Sequence, residues 1–387
     1  MRSLLVLIFV AALGTGASLL LFRPGGGSGE SSPDVFEAPE VVRRPVLVGR
    51  SPEAVPDSER EWVEANNRAV ELISDGRLDE AVALLEQCLA ALPGDETFRT
   101  NLSRALVRRA TEEHARPGGD RGRGIADLER ALELDPGDEP LTALLERWKR
   151  QAEVEEGFAG YESEHFSLAF DGDRDDLLDG ARDVVDVLER AYSELWLMTA
   201  HDPVRVNGAP IRIVMYRRDD FYAATGLGHW AGGAYDGSIR LPVDDLEAER
   251  QAWTRTLRHE LTHAFVASLG GPTVPGWLNE GFAQWFEGSR EAQLASARER
   301  LQGRTLFSLD ELGGSLSRLG EAEAISRAYA QSLLLFDHLE RFYGDRLLGS
   351  MLSACAEGSS PAERFQERRL FELDRVLEDL ADELERG

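Results

Sequence analysis

The residues His259-Glu260-Leu261-Thr262-His263 set two imidazoles four positions apart in a stretch, 253–265, whose apolar periodicity is helical. Positions i and i+4 of a helix share a face, so both rings leave the same side and can chelate one metal ion. Glu260, beside the first ring, can reach a water on that ion and act as its base. With seven histidines in 387 residues, chance yields such a pattern in roughly one chain of this composition in a hundred. A third ligand is at hand in Glu280, within the second helical stretch 275–286 (Pro275-Gly276-Trp277-Leu278-Asn279-Glu280-Gly281-Phe282-Ala283-Gln284-Trp285-Phe286). Gly270-Gly271-Pro272 and Pro275 can reverse the chain between the two helices, and antiparallel packing would bring Glu280 to the metal. Two histidines and a carboxylate leave the fourth position of tetrahedral Zn2+ open to water, as a catalytic site requires. One Zn2+ per chain is the expectation, although the same donor set also suits other divalent ions.

The elements around these helices read as mixed α and β from about Tyr161 onward. Residues 164–170 alternate as a strand does, 173–198 form a long amphipathic helix, and 210–216 read as a buried strand. Residues 231–242 read as a hairpin turning at Asp236-Gly237, and Pro242 at its end suits an edge strand. Residues 361–387 read as one charged amphipathic helix carrying Phe365, Leu370, Phe371, Leu373, Val376, Leu377 and Leu380. It is expected to pack back on this domain, with an oligomer contact as the alternative.

The His-Glu-x-x-His helix followed by Trp277-Leu278-Asn279-Glu280-Gly281-Phe282-Ala283 resembles the gluzincin metallopeptidases, and more narrowly the bacterial peptidase MA-like group. The resemblance covers residues 161–341, roughly half of the chain. It implies an α+β zincin-like domain: a small mixed sheet with an edge strand, the metal helix, and a mostly helical C-terminal half. It also implies His259, His263 and Glu280 as zinc ligands, with Glu260 as general base. An edge strand before the zinc helix binds extended substrate by backbone pairing in that family; Ser238, Ile239, Arg240 and Leu241 are the matching segment. Tyr329 resembles the tyrosine that stabilises the oxyanion, but it shares a helical face with Ile325, Ser332, Phe336 and Leu339, so a core position is the competing reading. His229 and His338 are weaker candidates. Two departures stand out. The aminopeptidase branch carries Gly-x-Met-Glu-Asn where this chain has Gly233-Ala234-Tyr235-Asp236-Gly237, which puts aminopeptidase activity in doubt. The thermolysin-like aspartate four residues after the third ligand is Gln284, which could still orient a histidine.

Upstream, residues 81–96 align with 124–139 at an offset of 43. Small residues at Ala81 and Cys88 match Gly124 and Ala131, Leu85 matches Leu128, and Pro93 matches Pro136. The segment resembles the tetratricopeptide repeats, which implies paired helices that bury their stripes on one another and need a cap, here residues 140–149. The extra nine residues over a 34-residue period fit the polar stretch 114–120. Such an array binds a protein partner or serves as a spacer; both readings stand. Cys88 sits at a packing position, so a buried free thiol is expected rather than a disulfide to Cys355.

Composition bounds the rest. Forty-three basic against 70 acidic residues give a net charge of −27 with no basic patch, which argues against nucleic acid as a partner. Two cysteines are too few for a disulfide framework or a cysteine-built zinc site. Residues 3–22 form an uncharged apolar run flanked by Arg2 and Arg23, about the length that crosses a bilayer. It reads as a signal anchor, or as a signal peptide cut after Ala17. The expected organisation is therefore a signal segment at 1–23, a flexible Pro/Gly-rich linker at 24–58, an all-α TPR-like segment at 59–154, a metallopeptidase-like domain at 161–357, and the C-terminal helix at 361–387. The sequence thus reads as an exported protein, held to the inner membrane and facing the periplasm or outside, or secreted if the signal is cleaved. Its expected activity is zinc-dependent hydrolysis of peptide or protein substrate by a metal-activated water. The alternative is a TPR-based interaction protein whose zinc domain is not catalytic.

Overall fold

The computed structural model describes residues 57–115, 119–227, 232–369 and 372–386. The N-terminal apolar run and its linker up to residue 56, His229, Ala231 at the start of the hairpin, and Leu370 and Phe371 of the tail lie outside the described residues. Those described fall into two units that divide between residues 156 and 157. No helix among them is long and apolar enough to cross a membrane.

The first unit is five helices, each packed on the next: α1 (Asp57–Ser74), α2 (Leu78–Ala91), α3 (Glu96–Ala115), α4 (Arg121–Leu134) and α5 (Glu139–Val154). Ala81, Leu85 and Cys88 on α2 and Leu128 and Ala131 on α4 are fully buried. A Cβ on Gly124 would stand 3.2 Å from the Trp148 ring and 3.4 Å from the Ala110 carbonyl, so α3, α4 and α5 meet closely because that position is small. The helices α2 and α4 stop two residues before Pro93 and Pro136, since proline disfavours helical geometry at the residue before it. Asn101 donates to Asn66 at 2.8 Å between α3 and α1, and both side chains are buried. Both cysteines are free and buried.

The second unit is built on a five-stranded mixed sheet of β1 (Ala159–Glu162), β2 (Phe166–Phe170), β3 (Ile211–Tyr216), β4 (Ala234–Tyr235) and β5 (Ser238–Pro242), in the order β1-β2-β3-β5-β4. The pairs β2/β3 and β3/β5 are parallel, so each needs a crossover. The first runs through α6 (Asp175–Thr199) and α7 (Pro203–Asn207), the second through α8 (Arg218–Thr225). Along α6, Leu177, Val184, Leu188, Tyr192 and Leu195 form the buried stripe over the sheet.

The structure departs from the sequence expectation in two places. The segment 238–241 is not the edge: β5 lies between β3 and β4, because the hairpin at Asp236-Gly237 folds Ala234 and Tyr235 back along its outer side. The tail is not one helix but two, α14 (Pro361–Arg369) and α15 (Asp374–Arg386). Its apolar residues serve different neighbours. Phe365 packs edge-on against Tyr343, and α14 lies on α13 (Asp345–Ala356); α15 buries Val376, Leu380 and Leu384 and packs on α12 (Ala322–Tyr343). One straight helix could not meet both.

The remaining helices position the site: α9 (Arg250–Gly270), α10 (Gly276–Glu287), α11 (Arg290–Leu301) and α12, with α10 packed on both α9 and α12. The 3-10 turn Gly271–Thr273 joins α9 to α10, and Gly271 at its head takes φ +70°, which glycine adopts without strain. The approach of α10 to α12 is set by Gly281, where a Cβ would stand 2.4 Å from the Ser332 carbonyl oxygen.

Candidate active site

The helix α9 is buried along Trp253, Leu257, Leu261, Ala264 and Phe265, which fixes its rotation and turns His259, Glu260 and His263 toward α10. The two imidazoles stand nearly perpendicular, centroids 4.8 Å apart. From α10, Glu280 Oε2 lies 3.7 Å from His259 Nε2 and 3.8 Å from His263 Nε2. These are too long for hydrogen bonds and leave room for an ion between the three. Both His259 Nε2 and Glu280 Oε2 are buried without a hydrogen-bond partner, a costly state for polar atoms unless they share a ligand. Among the described residues, this triad is the one His/Glu group placed to hold a metal ion. Two imidazole nitrogens and one carboxylate oxygen are the donors Zn2+ takes.

The electrostatics favour a cation. Burial disfavours charge on His259, but Glu280, Glu287 and Glu260 outweigh it and move its pKa up to about 10. Burial likewise opposes charge on Glu280, yet the imidazoles of His263 and His259 hold its carboxyl below the usual range. For Glu260 burial prevails: it lifts the carboxyl above the usual range, against the pull of His259 and His263.

Two residues that the sequence reading passed over hold the histidines. Glu287 lies 2.8 Å from His259 Nδ1, and Asn279 Oδ1 lies 2.9 Å from His263 Nδ1. Gln284, considered for that role, instead donates to the carbonyls of Glu280 and Tyr329 at 3.2 and 3.1 Å, tying α10 to α12. One signal for Glu287 was its place at the end of the run Phe282-Ala283-Gln284-Trp285-Phe286: a carboxylate buried among aromatics needs a buried partner.

Tyr329 is 8 % exposed and, with Glu260, His263 and Glu280, lines a cleft of about 270 Å³. Burial, then the charges of Glu280 and Glu260, raises its hydroxyl pKa well above normal, so the O–H stays a donor. Leu227, Val266 and Val274 give the cleft an apolar wall, and Gly233 and Tyr235 close it from the hairpin. A Cβ on Gly233 would meet Thr256 at 2.5 Å and Glu260 Oε1 at 3.2 Å, so this backbone passes directly over the glutamate. Ser238, Ile239, Arg240 and Leu241 do not join the cleft; all four are buried within the sheet. The guanidinium of Arg240 reaches Asp236 at 3.2 Å and the Tyr216 hydroxyl. His338 faces a different cavity.

Residues 201–381 match the family model of the Peptidase MA superfamily, a span that contains the whole triad, Glu260 and Tyr329. The match supports a zincin-like peptidase over this part of the chain. No curated protein matches the chain.

Proposed function

We propose that the chain is a zinc-dependent peptidase of the gluzincin type. The observation that carries this reading is Glu260, a buried carboxylate adjoining the three bared donors and opening on the same cleft as Tyr329. A purely structural metal site gains nothing from such a group. When bound, Zn2+ lowers the pKa of water to about 7 and polarises a carbonyl oxygen. Glu260 takes the proton of the attacking water and hands it to the leaving amine, and its raised pKa suits both transfers. Tyr329 donates its O–H to the oxyanion that develops on the scissile carbonyl. Glu287 and Asn279 keep His259 and His263 in the tautomer that presents Nε2. Extended substrate pairs along β4, the outer strand, rather than β5. Asp236, at the place of the amine-binding glutamate of aminopeptidases, is engaged by Arg240, which supports cleavage within chains over removal of N-terminal residues.

Around this domain the reading is an exported enzyme held at a membrane by residues 3–22, with helices α1 to α5 acting as tetratricopeptide-like repeats for a protein partner or as a spacer. A Glu260→Gln protein tests the enzyme claim. Retained fold and zinc with peptidase activity down by about 10³-fold or more support it; unchanged behaviour would favour an interaction protein with a non-catalytic metal domain.

A further inference from the structure

The helix α12 borders two cavities. About two and a half turns beyond Tyr329 it presents Asp337 and His338 to a cavity of about 410 Å³, closed by α11 and α15. That volume falls among small-ligand pockets, about 300–1,000 Å³. Its wall is apolar, made by Leu334, Leu380 and Leu384. Its charges are not all internally matched. Arg341 and Glu383 pair at 3.0 Å and neutralise each other. Among the described residues, Asp337 accepts only the neutral indole N–H of Trp285, at 3.2 Å. Arg298, on α11, makes no ion pair among the described residues. His338 is 5 % exposed on its side chain, and its Nδ1 faces Glu383 at 3.5 Å without a hydrogen bond. Among the described residues, an exposed cation at the rim, a buried anion and a buried imidazole thus remain around a leucine wall.

We propose that this cavity binds a zwitterion with an aliphatic body, a free amino acid or a short peptide. Its α-carboxylate pairs with Arg298 and takes a second hydrogen bond from His338, its α-ammonium pairs with Asp337, and its side chain lies on the leucines. A ligand with one charge of each sign leaves no unpaired charge in the cavity, whereas a simple anion would face Asp337 and a simple cation Arg298. The proposal does not rest on the peptidase reading. If both hold, the cavity takes the product class of the reaction.

The test is calorimetric titration of the full chain carrying Glu260→Gln, so that peptides stay intact, with L-leucine and with leucyl-leucine. Saturable binding of either is expected, and which one binds tells free amino acid from peptide. N-acetyl-leucine and leucinamide, each lacking one charge, should bind about tenfold or more weakly, as should either zwitterion to the further variant Arg298→Ala. Arg298 is exposed, so that variant keeps its fold; Asp337→Asn, which keeps the acceptor for Trp285, tests the other end. Absence of binding by both zwitterions, or equal binding to the Arg298→Ala protein, would overturn the proposal.

Discussion

Glu287 accepts the Nδ1–H of His259 at 2.8 Å, and both side chains are fully buried. Its second oxygen receives Arg255 at 2.5 Å, so the ring is held by an anion that is itself anchored by a cation. This leaves Nε2 directed at Glu280. Replacing Glu287 by Gln keeps the shape and removes the charge. We expect metal affinity to fall about 10–100-fold, read by competition with a chelating dye. An unchanged affinity would show that the contact serves packing alone.

Tyr329→Phe removes one hydroxyl from the cleft and leaves the ring in place. The expected result is full metal content, little change in KM, and a loss in kcat of about 10²-fold, the usual scale for one oxyanion donor. Wild-type kcat in this variant would make Tyr329 a core residue, as its shared face with Ile325 and Phe336 suggests on sequence grounds.

Gly281→Ala inserts a methyl 2.4 Å from the Ser332 carbonyl oxygen and 3.0 Å from Phe336 Cβ. Neither neighbour is the tip of a flexible side chain, so α10 must move off α12 and carry Glu280 with it. A loss of about 1–3 kcal/mol in unfolding free energy is expected, together with weakened metal binding. Gly314→Ala, where a Cβ meets nothing within 4 Å, should leave both unchanged.

Much of this site could be read in the sequence because its signals are local. An i,i+4 pair fixes a helix face, and two glycines and two prolines between helices fix a reversal, so His259, His263 and Glu280 could be brought together without knowledge of the remaining fold. What was missed depends on long-range packing. A hairpin sequence shows that β4 and β5 pair but not which of them adds to β3, and here the second strand does. Glu287 meets His259 across 28 positions, and no spacing rule connects them. The tail carries apolar residues for two different neighbours, which periodicity alone merged into one helix.

Stability should depend on pH through Glu189. Burial works against its ionisation, but Ser163 at 2.7 Å and the His165 ring at 2.6 Å outweigh this and hold its carboxyl below the usual range. A folded-state pKa below the unfolded value stabilises the protein above the unfolded pKa, and that contribution is lost as pH falls through the folded one. Glu189→Gln should therefore cost about 1–2 kcal/mol at neutral pH, and the gap to wild type should narrow as pH falls through the carboxylate range. Urea melts of both proteins at pH 7 and at pH 3.5 would check this; a difference that stays constant with pH would contradict it.

The central claim is a metal held by His259, His263 and Glu280, and the most direct test is the metal content of the purified, zinc-supplied protein beside a His259→Ala, His263→Ala variant. The account predicts about one zinc per wild-type chain and essentially none in the variant, with both proteins folded. A folded wild-type protein that takes up no metal would contradict it.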